Sequence, residues 1–167
     1  MNSYAPTPAP EFPIFGRINK MVKLNLPPCD IPIKQSEDKV LIFDLLRKRF
    51  VVLTPEEWVR QHFIHYLIHH LNYPKGLIKI EGGLRFNTLQ KRSDIVVFGR
   101  DGKPWMLIEC KAPDLKLNQR VVEQASTYNN TLKAKYLVIT NGMSSICCEI
   151  DWVNSRTVVV DAMPPFV

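Results

Sequence analysis

In "WMLIECKAP", residues 105–113, an apolar run ends in a carboxylate, a thiol and an amine before Pro113. Side chains on a strand repeat every two residues, so Glu109 and Lys111 leave one face and Cys110 the other. Such a pair is either a solvated strand end or part of a site for metal-assisted hydrolysis. The preceding stretch helps decide. "SDIVVF" (93–98) and "WMLIEC" (105–110) flank "GRDGKP", where Asp101-Gly102 marks a tight turn. A hairpin centred there pairs Phe98 with Trp105, Val96 with Leu107 and Asp94 with Glu109. A slip by one residue would send the two carboxylates to opposite faces. In the expected register they oppose each other at neutral pH, which is destabilising unless a cation bridges them, and a nearby Lys neutralises only one. Two hard oxygen ligands with room for water suit Mg²⁺ or Mn²⁺.

Two helices must complete such a site. "TPEEWVRQHFIHYLIHHL" (54–71) has Thr54 as N-cap, Pro55 at the first helical position and Glu57 where a capping box places its acid. Val59, Phe63, Ile64, Leu67 and Leu71 form its apolar stripe; Arg60 falls within that stripe and Glu57 at its margin. A charged side chain aimed at a core needs a partner, so both are candidates to reach a polar pocket. For Glu57 the capping role stands beside that reading and does not exclude it. His62, His65 and His69 share the other side with Trp58 and read as a solvated stripe without chemistry. The second helix, Leu117 to Leu132, lines Leu117, Val121, Tyr128 and Leu132 along one face with Gln124 among them. A buried amide needs hydrogen-bond partners, so Gln124 either caps a backbone group or positions a water or phosphate.

The remaining segments read as strands and turns in the order ββ-α-βββ-α-βββ, which predicts a mixed α/β (α+β) domain with helices covering a central mixed sheet. The 167 residues and 46% hydrophobic content suit one domain with a real core, spanning 21–167 behind a Pro-rich, flexible arm at 1–20. Met21 is an alternative native start. No run approaches the ~20 apolar residues of a membrane span, and the first residues lack a secretory signal, so a cytoplasmic protein without membrane association is expected. Cys29, Cys110, Cys147 and Cys148 contain no C-x-x-C pair and no zinc spacing, and read as reduced, mostly buried thiols. A net charge of +6 favours polyanionic partners without requiring nucleic acid.

Taken together these residues resemble the PD-(D/E)XK nuclease superfamily, whose signature is an acid, a strand and (D/E)-x-K. Here Ser93-Asp94 and Glu109-Cys110-Lys111 carry it, with Ser in place of the usual Pro. The ordered set "LTPEEWVRQ", "RSDIVVF", "LIECKAP", "EQASTYN" and "VITNG", from Leu41 to Asp161, is similar to the N-terminal nuclease domain of type I restriction enzyme R subunits. The resemblance implies a restriction-endonuclease-like core. It also implies an active centre of Glu57, Asp94, Glu109 and Lys111, assisted by Gln124 and Tyr128. On that basis Asp94, Glu109 and the Cys110 carbonyl hold Mg²⁺ or Mn²⁺, with Glu57 as a further ligand or beside one. Lys111 stabilises charge or positions water, and Gln124 orients a water or phosphate. Arg60, Lys91, Arg92 and Tyr128 are the expected nucleic-acid contacts; Lys91-Arg92 read equally well as an exposed pair ahead of a strand. The expected activity is phosphodiester hydrolysis in nucleic acid, with DNA favoured over RNA. An R subunit continues into helicase-like motor domains that this sequence does not include, so a small stand-alone relative is expected, with a protein partner or a homodimer as a source of specificity. The rival readings are a nuclease-like module that binds nucleic acid or a partner without cutting, and an accidental alignment in a structural protein.

Overall fold

The computed structural model describes residues 22–80 and 94–166. The arm assigned to 1–20 and the later part of the strand expected around "LIKIEGGLRF" lie outside them. The described elements are β1 (Ile33–Ser36), β2 (Lys39–Asp44), β3 (Arg49–Val52), α1 (Pro55–His69), β4 (Ile78–Ile80), β5 (Ile95–Phe98), β6 (Pro104–Cys110), α2 (Gln119–Leu132), β7 (Tyr136–Thr140), β8 (Ser145–Asp151) and β9 (Arg156–Val160). Three strands rather than two precede α1. The expected hairpin is β2–β3, and β1 adds to its edge as an antiparallel strand, making a separate three-stranded sheet.

The central sheet runs β4-β5-β6-β7-β8-β9 and is mixed: every neighbouring pair is antiparallel except β6–β7. That parallel pair requires a crossover, and α2 supplies it. Alternation along β5 and β6 then sorts side chains between two cores. Ile95, Val97, Met106, Ile108 and Cys110 join Val59, Phe63, Ile64 and Leu67 of α1. Val96 and Leu107 join Ala125 and Leu132 of α2 on the opposite face. The mixed α/β architecture with one helix on each side of a central sheet is the one the element order implied.

Both helices begin where local chemistry places them. Thr54 Oγ1 accepts the Glu57 N–H at 3.0 Å, and Glu56 and Glu57 sit at the positive end of the α1 dipole. Asn118 Oδ1 accepts the Val121 N–H at 3.2 Å, so α2 starts at Gln119 rather than Leu117. Its exit is held by Asn129, whose amide both donates to and accepts from the Ala134 backbone at 3.0 Å, beyond a left-handed Lys133.

Two expectations about side chains change. His62 is not part of a solvated stripe: it is buried, its ring 3.9 Å from that of Trp58 and its Nδ1 2.8 Å from the Trp58 carbonyl oxygen. The reason is that α1 is covered on more than one side. Leu45 of the β2–β3 turn donates its N–H to Gln61, and the Trp58 indole donates to the Val22 carbonyl. Burial also holds the His62 imidazole below its ordinary pKa, opposed by the hydrogen bond to Trp58. The second change is at the hairpin tip. Phe98 pairs with Pro104, not Trp105, because an irregularity between Val97 and Phe98 takes up one residue. Nearer the acids the expected register holds, with Ile95 opposite Ile108 and Val96 opposite Leu107.

Candidate active site

Asp94 stands immediately before β5, and the register that pairs Ile95 with Ile108 sets it level with Glu109 at the end of β6. The first turn of α1 comes to the same place. Asp94 Oδ2 accepts the Cys110 N–H at 2.6 Å, and its Oδ1 accepts from Arg60 Nη2 at 2.5 Å. The other arm of the Arg60 guanidinium donates to Glu57 Oε2 at 2.5 Å. Glu57 Oε1 accepts from Gln61 Nε2 at 2.8 Å, and Lys111 Nζ donates to Glu109 Oε1 at 2.7 Å. Five residues singled out in the sequence, Glu57, Arg60, Asp94, Glu109 and Lys111, therefore meet at one end of the sheet.

The others are placed differently. Gln124 is exposed rather than turned into the apolar face; the buried polar residue of α2 is Asn129. The stripe is set by Ala125, Asn129 and Leu132, one position round from the expected set, and that rotation carries Gln124 to its margin. Tyr128 is half-buried against the α2-side core. Among the described residues no hydrogen bond joins either Gln124 or Tyr128 to the acids. Lys91 and Arg92 lie outside the described residues. The Cys110 thiol is fully buried on the α1 side and its pKa is pushed well up, by burial first and the Asp94 charge second. It is no nucleophile, since the reactive form is the thiolate.

Gln61 was not anticipated. It is completely buried, holds Glu57 through its amide nitrogen and accepts the Leu45 N–H at 3.3 Å. Its i,i+4 spacing from Glu57 was the available signal. Replacing it by Leu is expected to cost about 1–3 kcal/mol, since a buried N–H and a carboxylate oxygen both lose their partner; urea denaturation checks this. Thr140 and Asn141, from the "VITNG" run, prove to be scaffolding. The Lys111 N–H donates to the Thr140 carbonyl at 2.8 Å, and Asn141 ties the loop after β6 to the β7–β8 turn through the Leu115 carbonyl.

Charge is unevenly balanced here. Among the described residues, Glu57, Asp94 and Glu109 are ion-paired with Arg60 and Lys111, three carboxylates to two cations. Burial raises the pKa of Glu109, and the charge of Asp94 raises it further, against the opposing pull of Lys111. Burial acts to lower the pKa of Lys111, but the hydrogen bond and charge of Glu109, with Asp94 and Glu56, reverse that and raise it. Lys111 is therefore an ammonium at neutral pH. Arg60 is likewise held in its charged form: burial opposes this, and Asp94 and Glu57 overcome it. Its Nε is buried and has no hydrogen-bond partner among the described residues. Among the described residues no group of three or more His, Cys, Asp or Glu lies at metal-binding spacing. Glu57 is turned instead onto Arg60 and Gln61. Asp94 and Glu109, with the neighbouring Cys110 carbonyl, are the hard oxygen donors that suit a divalent cation.

Comparison with known proteins finds a family over the region that holds these residues. A family model described as type I restriction enzyme R protein N terminus (HSDR_N) matches residues 55–164. No curated protein matches the chain. A solved fragment described as an HsdR subunit of a type I restriction enzyme from Vibrio vulnificus YJ016 is 25% identical over 52% of this chain, with a TM-score of 0.35. The match spans 16% of that chain, a small part of its length. Among the described residues no helix is long and apolar enough to cross a membrane. With well over half of its length matched, from the start of α1 through β9, this chain belongs to the type I restriction enzyme R protein N-terminus family.

Proposed function

We propose that this domain is a metal-dependent nuclease of the PD-(D/E)XK kind, hydrolysing phosphodiester bonds of DNA. The observation that carries the reading is the meeting of Asp94, Glu109 and Lys111 at one sheet end, where three carboxylates share two cations among the described residues. Asp94, Glu109 and the Cys110 carbonyl would hold Mg²⁺ or Mn²⁺, which supplies Lewis acidity and a bound water of lowered pKa. The chain's own residues do the rest. Lys111, fixed as a cation by Glu109, stabilises negative charge developing on the phosphoryl oxygens. Arg60 holds Asp94 in place and is itself held by Glu57, so Glu57 acts as a positioning residue through Arg60. Gln124, exposed on α2, is free to turn toward a water or phosphate.

Nicking of supercoiled plasmid tests this. Conversion to open circles in Mg²⁺ or Mn²⁺, and none in EDTA, is the expected result. One observation favours a second reading: both Asp94 oxygens are already engaged, by Arg60 and by the Cys110 N–H. A module that binds nucleic acid without cutting would show metal-independent affinity and intact plasmid with every divalent ion.

A further inference from the structure

The N-terminal sheet has a face that the acidic site does not use. The pairings Lys34–Leu41, Ser36–Lys39, Leu41–Val52 and Phe43–Phe50 put Lys34, Lys39, Phe43 and Phe50 on one side. Ile42 and Asp44, on the other side, are completely buried. Phe43 and Phe50 are only partly buried and belong to neither core. Their rings meet edge to face with centroids 5.4 Å apart, and Lys34 Nζ lies 4.2 Å from the centre of the Phe50 ring. Lys39 is exposed on this face, and Lys48 is exposed at the β2–β3 turn; Arg49, paired with Asp44, leaves from the other face.

That turn is rigidly built. Asp44 Oδ1 accepts the N–H groups of Leu46 (2.9 Å) and Arg47 (2.8 Å), and its Oδ2 pairs with the Arg47 guanidinium at 3.3 Å. The Leu45 N–H rests on Gln61, which in turn holds Glu57. A continuous hydrogen-bonded path therefore ties the basic turn to the acidic cluster. The carboxylates of the turn between β1 and β2, Glu37 and Asp38, sit at the opposite end of β2.

Surface lysines alone are usually just solvated. Two phenyl rings left partly exposed among them are not explained by solvation. Flat rings flanked by cations suit the bases and phosphates of an unpaired strand, whereas a duplex keeps its base faces stacked away and would meet only the charges. We infer that this face holds single-stranded nucleic acid, its bases against Phe43 and Phe50 and its phosphates on Lys34, Lys39 and Lys48. The inference rests on the reading that the domain acts on nucleic acid, but not on cleavage.

Fluorescence anisotropy of the full chain in EDTA tests it, with a labelled oligothymidylate of about 16 nucleotides and a duplex of equal length. Phe43→Leu is expected to weaken single-strand binding about tenfold and to leave duplex binding unchanged. Phe50→Leu serves the same purpose if the first variant does not fold. Lys34→Gln and Lys48→Gln should each flatten the slope of log affinity against log salt by about 0.7, the single-strand value per phosphate contact. In the wild type, absence of cutting with every divalent ion while single-strand binding is preserved would sink the nuclease reading alone. Unchanged single-strand affinity and salt slope across the sheet variants would overturn the inference, as would an equal loss for strand and duplex in Phe43→Leu.

Discussion

Replacing Lys111 by Ala is expected to slow metal-dependent nicking by about 10²–10³-fold, the usual loss on removing one preorganised charge-stabilising donor. Affinity for oligonucleotide in EDTA should hardly change, because Lys111 faces Glu109 rather than open surface. Asp94→Asn should be at least as severe, since in the proposed mechanism it removes a hard anionic donor to the metal. The pH dependence follows from Glu109. Its pKa is raised by burial and by Asp94, so it takes up a proton at a higher pH than an ordinary carboxylate. A raised carboxylate contributes stability that is present below its unfolded pKa and lost as pH rises through the folded one. Ionised Glu109 therefore burdens the fold at neutral pH, and a bound cation relieves that burden. Activity should accordingly fall with acid at a pH above the ordinary Glu range, and added Mg²⁺ should move that inflection downward. A rate profile at several metal concentrations checks both. Wild-type rates in Lys111→Ala would remove this residue from the chemistry.

Arg60→Leu is expected to be the most destabilising single change in the site, by about 3–5 kcal/mol, because breaking a buried ion pair leaves uncompensated charge. Here one guanidinium serves two carboxylates, Glu57 and Asp94, with all three side chains mostly shielded from water. Urea denaturation at neutral pH measures the loss. The double variant with Asp94→Asn should recover part of it, since contacting charges are not additive. If metal and Arg60 compete for Asp94, Mg²⁺ should also raise the melting temperature of Arg60→Leu more than that of the wild type. Equal stability of the variant and the wild type would mean that Arg60 is no internal counter-ion.

The strand that ends in Glu109, the hairpin that sets Asp94 level with it and the capped start of α1 were all legible in order and spacing. They are local properties. A two-residue alternation read over β5 and β6 determines which side chains share a face, and the irregularity at Phe98 falls at the tip, away from the acids. Thr54 and Pro55 mark the start of a helix whatever surrounds it. The partnership of Arg60 with Asp94, the burial of Gln61 and His62, and the margin position of Gln124 were decided only in three dimensions. Helical periodicity assumes one dry face and one wet one, whereas α1 is closed over by the N-terminal sheet as well as the central one, so polar residues off the expected stripe are buried and must find partners there. Gln124 erred in the opposite direction. One residue of rotation about α2 separates a buried position from an exposed one, and that rotation is set by how Ala125, Asn129 and Leu132 pack, which no spacing within the helix specifies.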